Sequence, residues 1–174
     1  MTRPVTVYST GPDHTRDLAS ALGELSRPGD LLVLVGELGA GKTAFAQGLG
    51  AGLGVTEQIT SPTFALVQSY PGRILMHHLD VYRLEQVNEA LDLGLAEMLD
   101  EEAVMVIEWG DAIAPVLPHD YLEVRLRYAA VSPAADPDVE MRREIQLLPV
   151  GPRWSARMTG ISRIVRDLGD GGGR

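Results

Sequence analysis

Gly36-Glu37-Leu38-Gly39-Ala40-Gly41-Lys42-Thr43 is a complete G-x-x-x-x-G-K-[ST] phosphate-binding loop. Its flanks agree with it. Asp30-Leu31-Leu32-Val33-Leu34-Val35 is an apolar run of strand length, and Ala44-Phe45-Ala46-Gln47-Gly48-Leu49 is helix-compatible, giving the order strand, loop, helix. In such a loop, glycines let successive backbone N–H groups close around an anion at a helix N-terminus, whose dipole also favours negative charge. Lys42 is the only lysine among 15 basic residues. The one compact ammonium thus stands where the motif meets the β- and γ-phosphates, and the Thr43 hydroxyl stands where Mg²⁺ is ligated. The candidate phosphate contacts are Glu37, Leu38, Gly39, Ala40, Gly41, Lys42, Thr43 and Ala44.

The 174 residues predict one domain over 1–168, enough to bury roughly 70% of the unfolded chain's surface, followed by a Gly-rich disordered tail at 169–174. The absence of cysteine excludes thiol catalysis, thiolate zinc sites and disulfides. No apolar run reaches the roughly 18 residues of a membrane span and the first residues carry no leader-like apolar stretch, so the expectation is a cytoplasmic protein. A formal net charge of -9 opposes a surface that grips nucleic acid throughout; contact with RNA is expected to be local or through a partner.

Val5 to Ser9 reads as a strand, and Thr10-Gly11-Pro12-Asp13 as a capping box opening a helix with Leu18, Leu22 and Leu25 inward. The phosphate-loop helix is expected to run to the glycines at 50, 52 and 54. Pro71-Gly72 predicts a hairpin between the runs 64–70 and 73–80. Two short helices divided near Gly94 follow, then an apolar strand 103–108, an alternating strand 121–128 and a strand 141–148 that pairs with it. A last helix, 153–168, carries Trp154, Met158, Ile161, Val165 and Leu168 at spacings of three and four. On it Arg153, Arg157, Arg163 and Arg166 are expected to lean outward as a positive docking patch, or as an ordinary solvated face, with Gly160 marking a break.

Two carboxylates qualify as the acid that a phosphate loop needs near Mg²⁺. Glu108 ends the apolar run Val104–Ile107, a Walker-B pattern with glutamate for aspartate; Asp80 ends the other strand on the face of Ile74, Met76 and His78. One serves the metal and the other positions the attacking water, unless either pairs with an arginine such as Arg83. His77 and His78 point to opposite faces and cannot chelate one ion together. Trp109 and Tyr82, just beyond these strands, are candidates to pack on nucleotide, partner or core. The hydroxyls of Ser61 and Thr63 lie about twenty residues past Thr43, the separation of the switch threonine in many P-loop switches.

The set GELGAGKT (36–43), SPTF (61–64), HLDVYRL (78–84), an acidic Gly-Leu segment (94–97) and IEWGD (107–111) closely resembles the TsaE family of P-loop ATPases in bacterial tRNA threonylcarbamoyladenosine biosynthesis. The resemblance spans roughly 5–128, with Gly110 where the family often has proline. It implies an α/β, three-layer P-loop fold with a mixed, mainly parallel central sheet flanked by helices, and ATP with Mg²⁺ as cofactors. It further implies action with the TsaB and TsaD proteins on adenosine 37 of tRNAs reading codons that begin with A, the tRNA being met through the complex. By the same resemblance Thr43 and Glu108 hold Mg²⁺, Asp80 supports hydrolysis with Lys42, and 61–64 senses the nucleotide. The alternative is a small-molecule P-loop kinase, which needs an arginine-rich lid. A guanine-reading switch is disfavoured because its Asn/Thr-Lys-x-Asp signature requires a second lysine.

Overall fold

The computed structural model describes residues 3–62, 65–82, 87–130 and 142–171. Its axis is β2 (Leu31–Val35), whose apolar run is covered on both sides: Leu32 and Leu34 enter one core, Leu31 and Val33 the other. Double burial is the condition of a central parallel strand and explains why this run does not alternate. The neighbouring β5 (Val104–Glu108) divides likewise, Val104 and Val106 against Met105 and Ile107. With β1 (Val5–Ser9), β3 (Val67–Tyr70), β4 (Met76–Asp80), β6 (Tyr121–Tyr128) and β7 (Arg143–Val150), these form a seven-stranded sheet ordered β1-β7-β6-β2-β5-β4-β3. Strands β4, β5, β2 and β6 pair in parallel, and only β3 and β7 run against the common direction. The sheet is therefore mixed and mainly parallel.

One face of the sheet carries α1 (Pro12–Leu25), α2 (Lys42–Gly52) and α5 (Pro152–Gly171), which contribute Leu18, Leu22, Phe45, Leu49, Trp154 and Ile161 to the larger core. The other face is covered by α3 (Val87–Asp92), α4 (Leu95–Asp100) and a 3-10 segment at Gly110–Val116, through Ala90, Leu95 and Ile113. Gly94, in the left-handed region, separates α3 from α4 as expected. The glycines of α2 do more than end it. A Cβ on Gly48 would lie 2.2 Å from the Arg16 carbonyl oxygen, and one on Gly52 would lie 2.0 Å from that of Ser20, so α1 and α2 meet backbone to backbone.

Several local expectations are corrected. No capping box opens α1: Gly11 is the N-cap, and the Thr10 N–H donates instead to His14 Nδ1 at 3.2 Å. Pro12 is the cause, since proline is favoured at the first helical position and disfavours helical backbone in the residue before it, which moves the start one residue on. The hairpin strand is shorter than the run 64–70, beginning at Val67. The last helix passes Gly160 without a break and continues to Gly171, beyond the point where the tail is expected to begin.

The arginines of α5 do not form one outward row. Arg157 turns inward, donating from Nη1 to both Asp30 carboxylate oxygens at 2.8 and 2.9 Å and from Nη2 to the Leu25 carbonyl at 2.8 Å. Arg163 and Arg166 are exposed. Arg157 thus clamps α5 to the end of α1 and the start of β2, and the docking patch loses its central member. Arg157→Gln, which removes the close cation from the buried Asp30 carboxylate and leaves it the Arg27 N–H and Arg153 at 4.0 Å, is expected to lower stability by up to about 3–5 kcal/mol. Arg163→Gln should stay within about 0.5 kcal/mol of the parent. Urea unfolding followed by circular dichroism compares the two, and equal effects would remove the clamp.

Candidate functional site

The loop 36–41 leaves the carboxyl end of β2 and enters α2 through Gly41, whose φ of 106° places it in the left-handed region where a side chain is strained. This turn aims the first N–H groups of α2 and the Thr43 hydroxyl at one cleft. The cleft, about 420 Å³, is lined by Leu38, Gly39, Gly41, Lys42, Thr43 and Ala44 from the loop and helix. Ser61, Asp80, Tyr82, Glu108 and Trp109 complete its wall. Ala40 is fully buried in the larger core, and Glu37 lines a separate hollow with Asp111, Glu123, Arg125 and Arg127; the contacts expected of this loop are made by backbone N–H groups, which these placements do not concern. Thr63 and Arg83 lie outside the described residues.

Parallel pairing brings the two carboxylates side by side, since Asp80 is the register partner of Glu108. Both are buried, and each has local donors. The Thr43 hydroxyl donates to Glu108 at 3.1 Å (Oε1) and 3.4 Å (Oε2), and His78 Nε2 lies 2.8 Å from Oε1. Asp80 accepts from the Ser61 hydroxyl at 3.0 Å and from the Tyr82 N–H at 3.0 Å. Ser61, the residue that begins the expected switch, is thereby linked to the carboxylate assigned to hydrolysis.

Lys42 is buried and fully engaged. Its ammonium donates to the carbonyls of Gly36 (2.7 Å) and Glu37 (2.8 Å), and the Trp109 ring centroid lies 3.8 Å from Nζ. Burial holds its pKa below the ordinary lysine value, opposed by the negative charges of Glu108, Asp80, Asp111 and Glu37. Trp109 reaches this place by unusual backbone: its φ of 62° is left-handed, a conformation that costs a bulky residue about 1–3 kcal/mol. Its N–H donates to the Leu34 carbonyl at 3.0 Å, and its ring packs at 45° on Tyr82, 4.8 Å between centroids. Trp109 thus packs on the smaller core, one of the placements expected for it, and also against the loop lysine at the wall of the cleft.

The donor set suits Mg²⁺ shared with a phosphate better than a cage made by protein alone. Thr43 and Glu108 offer hard oxygens to the cleft, and among the described residues no three His, Asp or Glu side chains converge as a metal group. His78 is the site residue that the sequence reading passed over. The strand alternation that places His78 on the Asp80 face was the available signal, since β5 presents Glu108 to that same face.

A profile described as "Threonylcarbamoyl adenosine biosynthesis protein TsaE" matches residues 9–134. The chain belongs to the TsaE family. It is 35% identical over 156 residues to the Bacillus subtilis tRNA threonylcarbamoyladenosine biosynthesis protein TsaE, covering 89% of this chain and 92% of that one. The Treponema pallidum protein of the same name is 42% identical over 122 residues, with 70% and 90% covered. The fold is similar to the crystal structure of Bacillus subtilis YdiB, with a TM-score of 0.78 at 30% identity over 94% of this chain and 97% of that one. Nucleotide binding and tRNA processing fit this family and this loop; among the described residues, Arg125 and Arg127 line the separate hollow rather than the cleft.

The two carboxylates of this TsaE-family site are expected to separate on mutation. Glu108→Gln should lower magnesium-dependent nucleotide affinity because Glu108 is the one bonded to Thr43, whereas Asp80→Asn should leave binding nearly intact and slow turnover. Calorimetric titration with and without magnesium, beside steady-state rates, checks this; the opposite pattern reverses the two roles.

Proposed function

We propose that the chain is a magnesium-dependent ATPase that acts with the TsaB and TsaD proteins in forming N6-threonylcarbamoyladenosine at position 37 of tRNAs reading codons that begin with A. Its setting is the cytoplasm, and the tRNA is met through the complex. The observation that carries this reading is the meeting of Lys42, Thr43, Ser61, Asp80 and Glu108 at one cleft, although they come from four separate stretches of the chain. Phosphoryl transfer asks the protein mainly for positioning and electrostatic stabilisation, and this set supplies both.

In this reading the loop N–H groups and Lys42 bind the phosphates, Lys42 exchanging its two carbonyl partners for phosphate oxygens. Thr43 and Glu108 hold Mg²⁺, which when bound neutralises charge developing on the phosphate oxygens. Asp80 orients the attacking water. Its partner Ser61 reports on the state of the site, so that segment 60–64 signals the nucleotide to the partner proteins. The exposed Tyr82 and Leu38 flank the mouth of the cleft, the natural side for such a signal.

The decisive assay is ATP hydrolysis by the chain alone and with cognate TsaB and TsaD. Strong stimulation is expected; phosphate transfer to a small metabolite would replace this reading with a kinase. Lys42→Ala should weaken ATP binding and abolish hydrolysis, because interactions of this kind are typically worth several kcal/mol in the transition state. A rate within twofold of the parent would sink the assignment. Thr43→Ala should be rescued in part by raised magnesium. Amide exchange across 60–64 is expected to be slower with ATP than with ADP, and equal protection would exclude the switch.

A further inference from the structure

β4 carries two adjacent histidines, and their surroundings differ in kind. His77 is satisfied at both ring nitrogens, Nδ1 by the Ser69 hydroxyl at 2.8 Å and Nε2 by Glu101 at 2.8 Å, on the face away from the cleft. That is the hydrogen bonding of a structural histidine tying an edge strand to a helix end. His78 is completely buried on the opposite face, and among the described residues its ring has one hydrogen-bond partner, Glu108 Oε1 at 2.8 Å from Nε2. Its Nδ1 is a buried side-chain polar atom with no partner, the one such atom among the described residues.

An orphaned buried acceptor costs about 1–3 kcal/mol. An apolar side chain of similar shape would fill the position without that cost, so packing does not account for a histidine here. The contact with Glu108 does. A carboxylate accepts, so Nε2 is the donor in this contact and is committed to Oε1. Thr43 favours the same oxygen, at 3.1 Å against 3.4 Å for Oε2. The carboxylate is thus held by one oxygen and leaves the other less engaged.

We propose that His78 is a positioning residue for Glu108: it fixes the carboxylate by Oε1 so that Oε2 is offered to the cation that accompanies the nucleotide. This rests on the reading of the cleft as a magnesium-nucleotide site. His78 acts only through Glu108 and does not touch the phosphates. Carboxylates that ligate metals are commonly oriented by such partners, whose loss weakens metal affinity by roughly 10- to 100-fold.

The test uses the full chain and its His78→Leu and His78→Gln variants, titrated with magnesium at a fixed concentration of a non-hydrolysable ATP analogue and, separately, with the analogue in chelator. His78→Leu should raise the apparent magnesium dissociation constant by roughly 10- to 100-fold while changing chelator affinity less than twofold. His78→Gln, whose amide can donate from nearly the position of Nε2, should recover most of the loss. In the metal-free chain, long-range ¹⁵N–¹H spectra should show His78 protonated at Nε2, with that resonance moved by Glu108→Ala. An unchanged magnesium constant in His78→Leu, a parallel loss with and without magnesium, or a resonance indifferent to Glu108→Ala would overturn the proposal. The spectra decide it alone if His78→Leu does not fold. If the unmodified chain binds the analogue without magnesium dependence, the magnesium-nucleotide reading falls first, and this role falls with it.

Discussion

Lys42, His78, Asp80 and Glu108 are buried together at the carboxyl ends of three adjacent parallel strands and the helix that follows one of them. A charge in such a place is penalised by several kcal/mol unless neighbouring groups compensate it. Here the compensation is mutual: the ammonium sits among carbonyls, carboxylate charges and an aromatic face, and the carboxylates take hydroxyl, imidazole and backbone donors. This can be arranged only if β4, β5 and β2 end level with one another. A one-residue slip of β5 would turn Glu108 to the opposite face, away from Thr43 and His78 and toward the smaller apolar core, and its register partner Asp80 would lose it likewise. The packing of the sheet and the chemistry of the cleft are in this sense a single constraint.

Much of this was legible from residue order. The loop motif, the unbroken apolar runs before Lys42 and Glu108 and the Pro71-Gly72 turn predicted the strands and their hairpin, and the structure pairs them accordingly. What escaped depended on partners distant in sequence. Helical spacing makes Arg157 part of an outward docking patch or solvated face because it reports which residues share a stripe, not that Asp30 waits 127 positions away. A pair of adjacent histidines invites testing as a chelate, whereas the partner of His78 is a carboxylate on the next strand. The capping box failed by local competition, proline outranking threonine for control of the helix start.

The part of the chain outside the family profile is not an appendage. The match covers 9–134, which leaves β7, α5 and nearly all of β1 beyond it. Yet β7 lies between β6 and β1, pairing with both, and α5 places Trp154, Met158, Ile161 and Val165 in the larger core. The matched segment alone would leave β6 as a free edge and the face that carries α1 and α2 without its third helix. The C-terminal extension, whose sequence carries no recognisable motif, closes the fold.

The engagement of Lys42 has a consequence for energetics. Its ammonium already has two carbonyl acceptors and an aromatic neighbour, so any anion reaching the loop replaces contacts rather than filling an unmet need. The free energy of capture is the difference between two sets of bonds, smaller than either. A loop wired in this way resists trapping its ligand, because the lysine has Gly36 and Glu37 to return to as an anion departs. Tight grip is given up for reversibility.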